Sequence, residues 1–234
     1  MEQNNEFNRF SLLKCIVVAI REKNVVDLEK AIVNHEKDVI LSQDTELLRI
    51  YSLACLYVND ANRAYVALMN VKNSEEVRAL IAFQDKNYAS VVGNFKDVKP
   101  KTSAGKIALS VSMYESERTV FDCEKVLDSI IVNNSTACTI AGIMNFNSKF
   151  YDAAENYFSQ ATLLAPKDMI TWNNLMSAYY VNDKVDLAYR CLNLSLMVNG
   201  NSAPDLMDKM KRTKINFPKL ELSGQFYNIA SQLI

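Results

Sequence analysis

Residues that interrupt helices are scarce in this chain. Its 234 residues include only five glycines and four prolines. Clusters of turn-forming residues are few, and no low-complexity tract is present. This composition predicts a chain that is nearly all helix.

Residues and motifs that carry chemistry are also scarce. His35 is the one histidine, and no GxSxG or cysteine-centred signature accompanies it. A zinc site needs about four closely spaced Cys or His ligands, and the sequence has no such group. It has no glycine-rich phosphate-binding loop either. We therefore predict a protein that is not an enzyme, with no catalytic residue, no metal and no cofactor.

The cysteines give no sign of a disulfide framework or a redox motif. They are odd in number, scattered and without a CxxC spacing. The plain interpretation is a set of reduced, buried thiols in a cytosolic protein. The residues are Cys15, Cys55, Cys123, Cys138 and Cys191.

A large excess of charge and a long apolar run are missing too. The net charge of −1 gives no reason to expect DNA binding. The apolar stretch Leu12–Ile20 is interrupted by Lys14 and has neither the basic start nor the small-residue cleavage site of a secretory signal. No run is long enough to span a bilayer. We expect a cytoplasmic protein with no transmembrane segment.

The sequence does contain one 34-residue unit twice in succession, at 135–168 and 169–202. The two copies complement each other in the large and small residues that they place along the unit. The first copy supplies Gly142, Ala154, Phe158, Ala161 and Pro166. The second supplies Trp172, Leu175, Tyr179, Ala188, Leu192 and Ser195.

This pattern resembles the tetratricopeptide repeat, W-x2-L-G-x2-Y, then A-x3-F, then P, at that family's own period. The resemblance implies an antiparallel helix pair in each unit, with small residues where the helices approach closely. Pro166 cannot continue the helix before it and is expected to end the unit. Such a unit cannot bury its apolar face alone, so two copies predict further helix pairs beside them.

Helical spacing of apolar residues extends this arrangement along the rest of the chain. We predict an all-α fold, a right-handed α-α superhelix of about six antiparallel helix pairs plus C-terminal capping helices. Irregular pairs occupy 7–134, regular units occupy 135–168 and 169–202, and the cap occupies 203–234, all in one array 1–234. Predicted helices upstream include Thr45–Val58, Ala61–Val71, Ser74–Phe83, Asn87–Phe95, Thr102–Ser116 and Glu117–Asn133.

The family resemblance also implies a partner-binding groove on the first helix of each regular unit. The groove positions carry apolar side chains with a few amides and hydroxyls, as expected for holding a peptide or helix of a protein partner. They fall on Thr139, Ile143, Phe146, Ile170, Asn173, Ser177 and Tyr180. Ile143 and Phe146 have an alternative role as core residues covered by an adjacent part of the same array.

A basic run follows the regular units, and its lysines and arginine alternate with apolar residues. One interpretation is a contact for the phosphate of RNA or a lipid head group. We favour the simpler one, a solvated face of the cap, because Asp205, Asp208 and Glu221 dilute the charge. The basic residues are Lys209, Lys211, Arg212, Lys214 and Lys219.

A non-catalytic scaffold for protein–protein interaction is the function that this reasoning favours, with a larger subunit of a complex as the partner. The rhythm of Thr139–Met197 resembles the last repeats of the epsilon subunit of the coatomer vesicle coat. That resemblance implies bracing of the coat's alpha subunit on Golgi or ER vesicles. A transient peptide-binding adaptor, a repeat subunit of the signal recognition particle and one of a cell-cycle ubiquitin ligase remain open alternatives.

Overall fold

The computed structural model of the protein describes residues 12–19, 21–22, 24–69, 71 and 74–198. Within these ranges the regular secondary structure is helical, and they contain no strand. The prediction of an all-α fold is therefore confirmed. The predicted cap at 203–234 and the basic run lie outside the described residues.

The helices follow one another with short turns between them. The first seven are α1 (residues 12–19), α2 (Val25–Ser42), α3 (Thr45–Tyr57), α4 (Ala61–Leu68), α5 (Glu75–Gln84), α6 (Tyr88–Asn94) and α7 (Ser103–Glu115). The next five are α8 (Val120–Leu127), α9 (Ser135–Asn147), α10 (Tyr151–Leu164), α11 (Met169–Val181) and α12 (Val185–Val198).

These elements form two compact parts of the chain, called the first unit and the second unit below, which divide between Glu117 and Arg118. Each is larger than a 34-residue repeat. Helices α1–α7 belong to the first unit, and α8–α12 belong to the second. The sequence analysis placed all of them in one array, and that arrangement stays a prediction. The division falls inside the predicted pair Thr102–Ser116 and Glu117–Asn133.

The turn inside a helix pair has the same hydrogen bond in both units. In the second unit, the Phe150 N–H donates to the Asn145 carbonyl oxygen at 2.9 Å, and the Lys184 N–H donates to that of Tyr179 at 2.9 Å. In each case the residue just before the donor has a positive φ, as in a Schellman motif. The turn reverses the chain, so the second helix runs antiparallel to the first.

The irregular pairs of the first unit make this same bond. It joins the N–H of Asn24 to Ala19, that of Asp60 to Cys55 and that of Asn87 to Ala82, each at 2.8 Å. The fourth residue after each of these donors is fully buried against its own pair, as it is in the second unit. These buried residues are Leu28, Ala64, Val91, Ala154 and Ala188. The repeat geometry is thus retained where the consensus residues have been lost.

The second unit depends on close contact between α9 and α10. Gly142 of α9 faces the ring of Phe158 of α10, which is fully buried. A Cβ at Gly142 would lie 2.4 Å from Phe158 Cε1, so only glycine fits against the ring as it stands. Ala154, also fully buried, completes the contact. Gly142 and Ala154 are thus small residues at a close approach of two helices, as the resemblance implied.

Pro166 and Trp172 connect the two 34-residue repeats of the second unit. Helix α10 ends at Leu164, two residues before the proline, as predicted. The Trp172 indole Nε1–H donates to the Pro166 carbonyl oxygen at 2.9 Å, while its ring packs against the core of α9–α12. The turn between the repeats is therefore held by both of these residues.

One predicted helix is shorter than expected. The segment Glu117–Asn133 was expected to be helical, but α8 ends at Leu127 and residues 128–133 form turns. The Ile131 carbonyl oxygen accepts from Cys138 Sγ at 2.8 Å and from Gln160 Nε2 at 3.4 Å. Tertiary hydrogen bonds with α9 and α10 thus replace the bonds that continued helix would make.

The start of α5 lacks the side-chain cap that a serine just before a helix usually provides. Ser74 precedes α5, but its side chain does not cap that helix and instead donates to the Val71 carbonyl oxygen at 2.9 Å. An acidic side chain in the first turn of α5 bonds to the start of another helix. The Glu76 carboxylate accepts from the Thr102 N–H at 2.8 Å and from the Thr102 hydroxyl at 2.7 Å, at the start of α7.

The Gly142–Phe158 contact leads to a stability prediction. Gly142→Ala should destabilise the protein by about 1–3 kcal/mol, because the added methyl group forces the ring to move. Helix propensity alone would favour alanine by about 1 kcal/mol, so the sign of the change separates the two effects. The measurement is the free energy of unfolding in urea.

Gly93 of α6 provides the matched control. A Cβ there has no neighbouring atom within 4 Å, so Gly93→Ala should be neutral or stabilising by up to about 1 kcal/mol. If both variants are equally stable or more stable than the natural protein, the close contact of α9 with α10 is refuted.

Candidate partner-binding surface

Clusters of potential ligands or catalytic groups do not occur in the part of the chain that the structure describes. No three or more His, Cys, Asp or Glu side chains come together there as a metal site would require. His35 lines a cavity of about 580 Å³ in the first unit, together with Cys15 and Lys14. No hydrogen bond joins His35 to Cys15, although both are described, so they do not form a nucleophile–base pair as they stand.

The other four cysteines are buried, as the sequence analysis expected, but that expectation is wrong for Cys15, which is exposed. Burial raises the pKa of the Cys55 thiol to about 12 and the pKa values of the Cys123, Cys138 and Cys191 thiols to about 11. The thiolate is the nucleophilic form of cysteine, so these side chains are inert near neutral pH. They function as packing residues.

This burial predicts selective labelling. Cys15 is the exposed cysteine and should react promptly with a thiol reagent such as dithionitrobenzoate at pH 8. The other four should react only as the protein unfolds, since they are covered and protonated. Counting the labelled thiols before and after adding denaturant measures this. Prompt labelling of all five would show that the described packing is wrong.

On α9, the predicted groove residues are covered. Thr139, Ile143 and Phe146 are all buried, and the Thr139 hydroxyl donates to the Ser135 carbonyl oxygen at 2.8 Å. Ile143 and Phe146 belong to the core of the second unit, where the Phe146 ring meets that of Tyr151 edge-on at 5.3 Å. This placement matches the alternative role that the sequence left open for these two residues.

On α11, three of the four predicted groove residues remain accessible. Ile170 is 44% exposed, and Asn173 and Tyr180 are half-buried. Ser177 is buried, and its hydroxyl donates to the Asn173 carbonyl oxygen at 2.9 Å. The structure thus brings the accessible three onto one helix and separates them from the buried three on α9. As a binding groove, the seven-residue set stays a prediction.

Exposed apolar residues also stand at the helix ends around the start of α11, at one end of the second unit. Helix α10 ends where α11 begins, and the Ser195 hydroxyl of α12 donates to Asn173 Oδ1 at 3.3 Å. Three helix ends therefore meet here. We call this surface the end patch, and its exposed apolar residues are Leu163, Leu164, Met169, Ile170, Leu194 and Met197.

The end patch can bind a partner by burying apolar surface rather than through a metal or a charged group. Leu163 is 82% exposed and Met197 is 76% exposed, so much apolar area is open to solvent. Asn173 adds a side-chain amide at its border. Methionine and leucine side chains adapt to varied apolar shapes, as at known peptide-binding surfaces. Sequence reasoning missed Leu163 and Met169, although they stand on either side of the turn at Pro166, where polar residues are usual.

Comparison with known proteins assigns no family. No protein-family model and no curated protein sequence matches the chain. Two solved structures are similar to it at low identity. They are the MamA RS-1 ArsTM double mutant (TM-score 0.43, 11% identity, covering 82% of this chain and 94% of that one) and MamA AMB-1 (TM-score 0.42, 13% identity, covering 88% and 98%). At these values neither structure assigns a function to this chain.

None of the helices within the described ranges combines the length and the apolar character that a membrane span requires.

Proposed function

We propose that this protein is a non-catalytic scaffold that holds an apolar segment of a protein partner on the end patch and the adjoining accessible face of α11. The exposed apolar area at the meeting of α10, α11 and α12 is the observation that carries the proposal. Contiguous exposed apolar surface on a folded protein typically marks a protein-interaction site. The scarcity of chemistry-bearing groups in the described residues agrees with a role in binding.

The partner segment is best pictured as a short helix or extended peptide with two or three apolar side chains. Ile170 and Leu163 would contact those side chains, and the Asn173 amide would hydrogen-bond to a polar group beside them. A helix–groove contact of this kind depends on a few anchor residues. The proposal therefore predicts that two substitutions are enough to weaken binding.

The test is a tagged purification from the native cell, with quantitative mass spectrometry of the proteins recovered. Leu163→Ser together with Ile170→Ser should reduce recovery of the main partner at least tenfold, because about 1.4 kcal/mol of lost binding energy has that effect. Both side chains are exposed, so the fold should be retained, which a thermal melt checks.

Phe121→Ser is the matched control, since Phe121 is a large apolar residue of the second unit that is 65% exposed on α8. Partner recovery should be unchanged in this variant. Equal recovery with the patch variant and the natural protein would place the contact elsewhere. Recovery of no stable partner with the natural protein would contradict a permanent subunit role and favour a transient adaptor.

A narrower proposal concerns which complex is involved. We propose coatomer, with this chain bracing the larger alpha subunit on Golgi or ER vesicles in the cytoplasm, and its support is the sequence rhythm of Thr139–Met197. Recovery of coat subunits in fixed stoichiometry would bear this out. Recovery of signal-recognition-particle or ubiquitin-ligase components would replace coatomer by one of those complexes.

A further inference from the structure

Helix α2 in the first unit carries an apolar stripe on the side that faces solvent. Val26, Val33 and Ile40 recur every seven residues and are 58%, 55% and 40% exposed. Their side of the helix is opposite to that of Leu28 and Ile32, which are buried in the core. At 1.5 Å per residue the stripe is about 21 Å long. Among the residues of this unit that the structure describes, no packing contact accounts for the exposure of the stripe.

The two edges of the stripe have opposite charge. At 3.6 residues per turn, Glu29 and Glu36 lie on one side of Val33, and Lys30 and Lys37 lie on the other. Both lysines are exposed, and Lys30 has a weak surface contact with Asp27 at 3.7 Å. The stripe is therefore bordered by an acidic edge and a basic edge along the same helix.

Helix α4 extends the apolar surface beyond the acidic edge. Arg63 Nε lies 3.3 Å from Glu36 Oε2, which places the start of α4 beside the second half of α2. Both helices run antiparallel to α3 between them, so they run parallel to each other. Farther along, at the level of the end of α2, stand two exposed apolar residues, Val66 on α4 and Met69 directly after it.

We propose that a second copy of this chain binds this surface of α2 and α4, in a dimer whose two-fold axis runs parallel to the helices. This symmetry places the two stripes against each other. It also brings the basic edge of each α2 opposite the acidic edge of the other. An antiparallel arrangement would instead place lysines against lysines and glutamates against glutamates, which is unfavourable.

The same arrangement covers the remaining apolar residues. Leu41 is 69% exposed and lies on the basic edge at the end of α2. In the parallel dimer this edge faces the acidic edge of the other copy, beyond which stand Val66 and Met69 of that copy. Leu41 of one copy therefore packs against apolar residues of the other copy at the same height along the helices. β-branched residues at seven-residue spacing are also the type that favours two parallel helices.

The interface is limited to two helices from each copy, so we expect a small one and a weak dimer. Interfaces at the low end of the size range are typical of transient complexes. A dissociation constant on the order of 10 µM follows from that class. The dimer should be visible by sedimentation equilibrium of the full chain at concentrations up to about 100 µM.

Charge reversal of the basic edge tests the symmetry directly. Lys30→Glu with Lys37→Glu should raise the dissociation constant on the order of tenfold or more, because attractive contacts across the interface become repulsive. Mixing this variant with one carrying Glu29→Lys, which leaves the Glu36–Arg63 contact intact, should partly restore a dimer of one copy of each. Val33→Glu, in the centre of the stripe, should abolish association.

Two matched variants control for net charge and for loss of an exposed valine. Lys96→Glu with Lys167→Glu makes the same charge change at exposed sites on other elements than α2, and Val132→Glu replaces a valine that is 64% exposed in the second unit. Both should dimerise like the natural protein. If the natural protein is monomeric at about 100 µM, the dimer proposal is wrong and the surface is left for a different partner. An unchanged dimer in the lysine variant refutes the parallel arrangement.

Discussion

The reversing turn within each helix pair is the constraint on which the rest of the structure depends. In the pairs α3–α4, α5–α6, α9–α10 and α11–α12, a residue with positive φ ends the first helix, and the N–H that follows it bonds to a carbonyl five residues earlier. This geometry fixes where the second helix begins. The fourth residue after the donor is buried in each of these four pairs, from Ala64 to Ala188.

Small side chains then decide how closely the two helices approach. Alanine occupies the buried position at Ala64, Ala154 and Ala188. In the α9–α10 pair, Gly142 adds a second small position and admits the Phe158 ring against its Cα. Each helix pair therefore presents a defined outer surface, and the proposed interaction surfaces are parts of those outer surfaces.

The second unit could be predicted from sequence because its consensus residues report this geometry directly. Gly142, Ala154 and Pro166 have the roles that the repeat frame gave them, whereas the Phe158 ring packs against Gly142 of its own repeat. In the first unit the same turn exists without the consensus. The positive-φ residues of its α3–α4 and α5–α6 turns are Asn59 and Lys86, and those of the second unit are Lys149 and Asp183, so no glycine marks the turn in either unit. Helical spacing of apolar residues still placed these turns between predicted helices. What the first unit lacks is the consensus that identifies its helix pairs as repeats.

Other details could not be predicted because tertiary contacts decide them. The periodicity that extended α8 to residue 133 is genuine, but the Ile131 carbonyl oxygen bonds to side chains of α9 and α10 instead. Glu76 lies in the first turn of α5, yet its carboxylate bonds to Thr102, the N-cap residue of α7. The periodicity of a segment and the charge in its first turn describe one helix at a time. Neither therefore identifies hydrogen-bond partners on another helix.

The candidate site was predicted in part for a similar reason. The repeat frame identifies the first helices as groove-lining, yet α9 is apolar on nearly every side and is buried accordingly. The apolar side chains of Ile143 and Phe146 already indicated that these positions of α9 are buried. On α11 the frame led to the accessible Ile170, but the extension of its surface onto the ends of α10 and α12 depends on how the three helices meet.

Site-specific photo-crosslinking in the native cell tests the proposed function most directly, with a photoreactive amino acid in place of Ile170. If the end patch holds a partner, this position should form a crosslink to one defined protein, and the same probe in place of Phe121 should not. A crosslinked partner from the Phe121 position with none from the Ile170 position would contradict the account. It would show that the scaffold binds through a different surface.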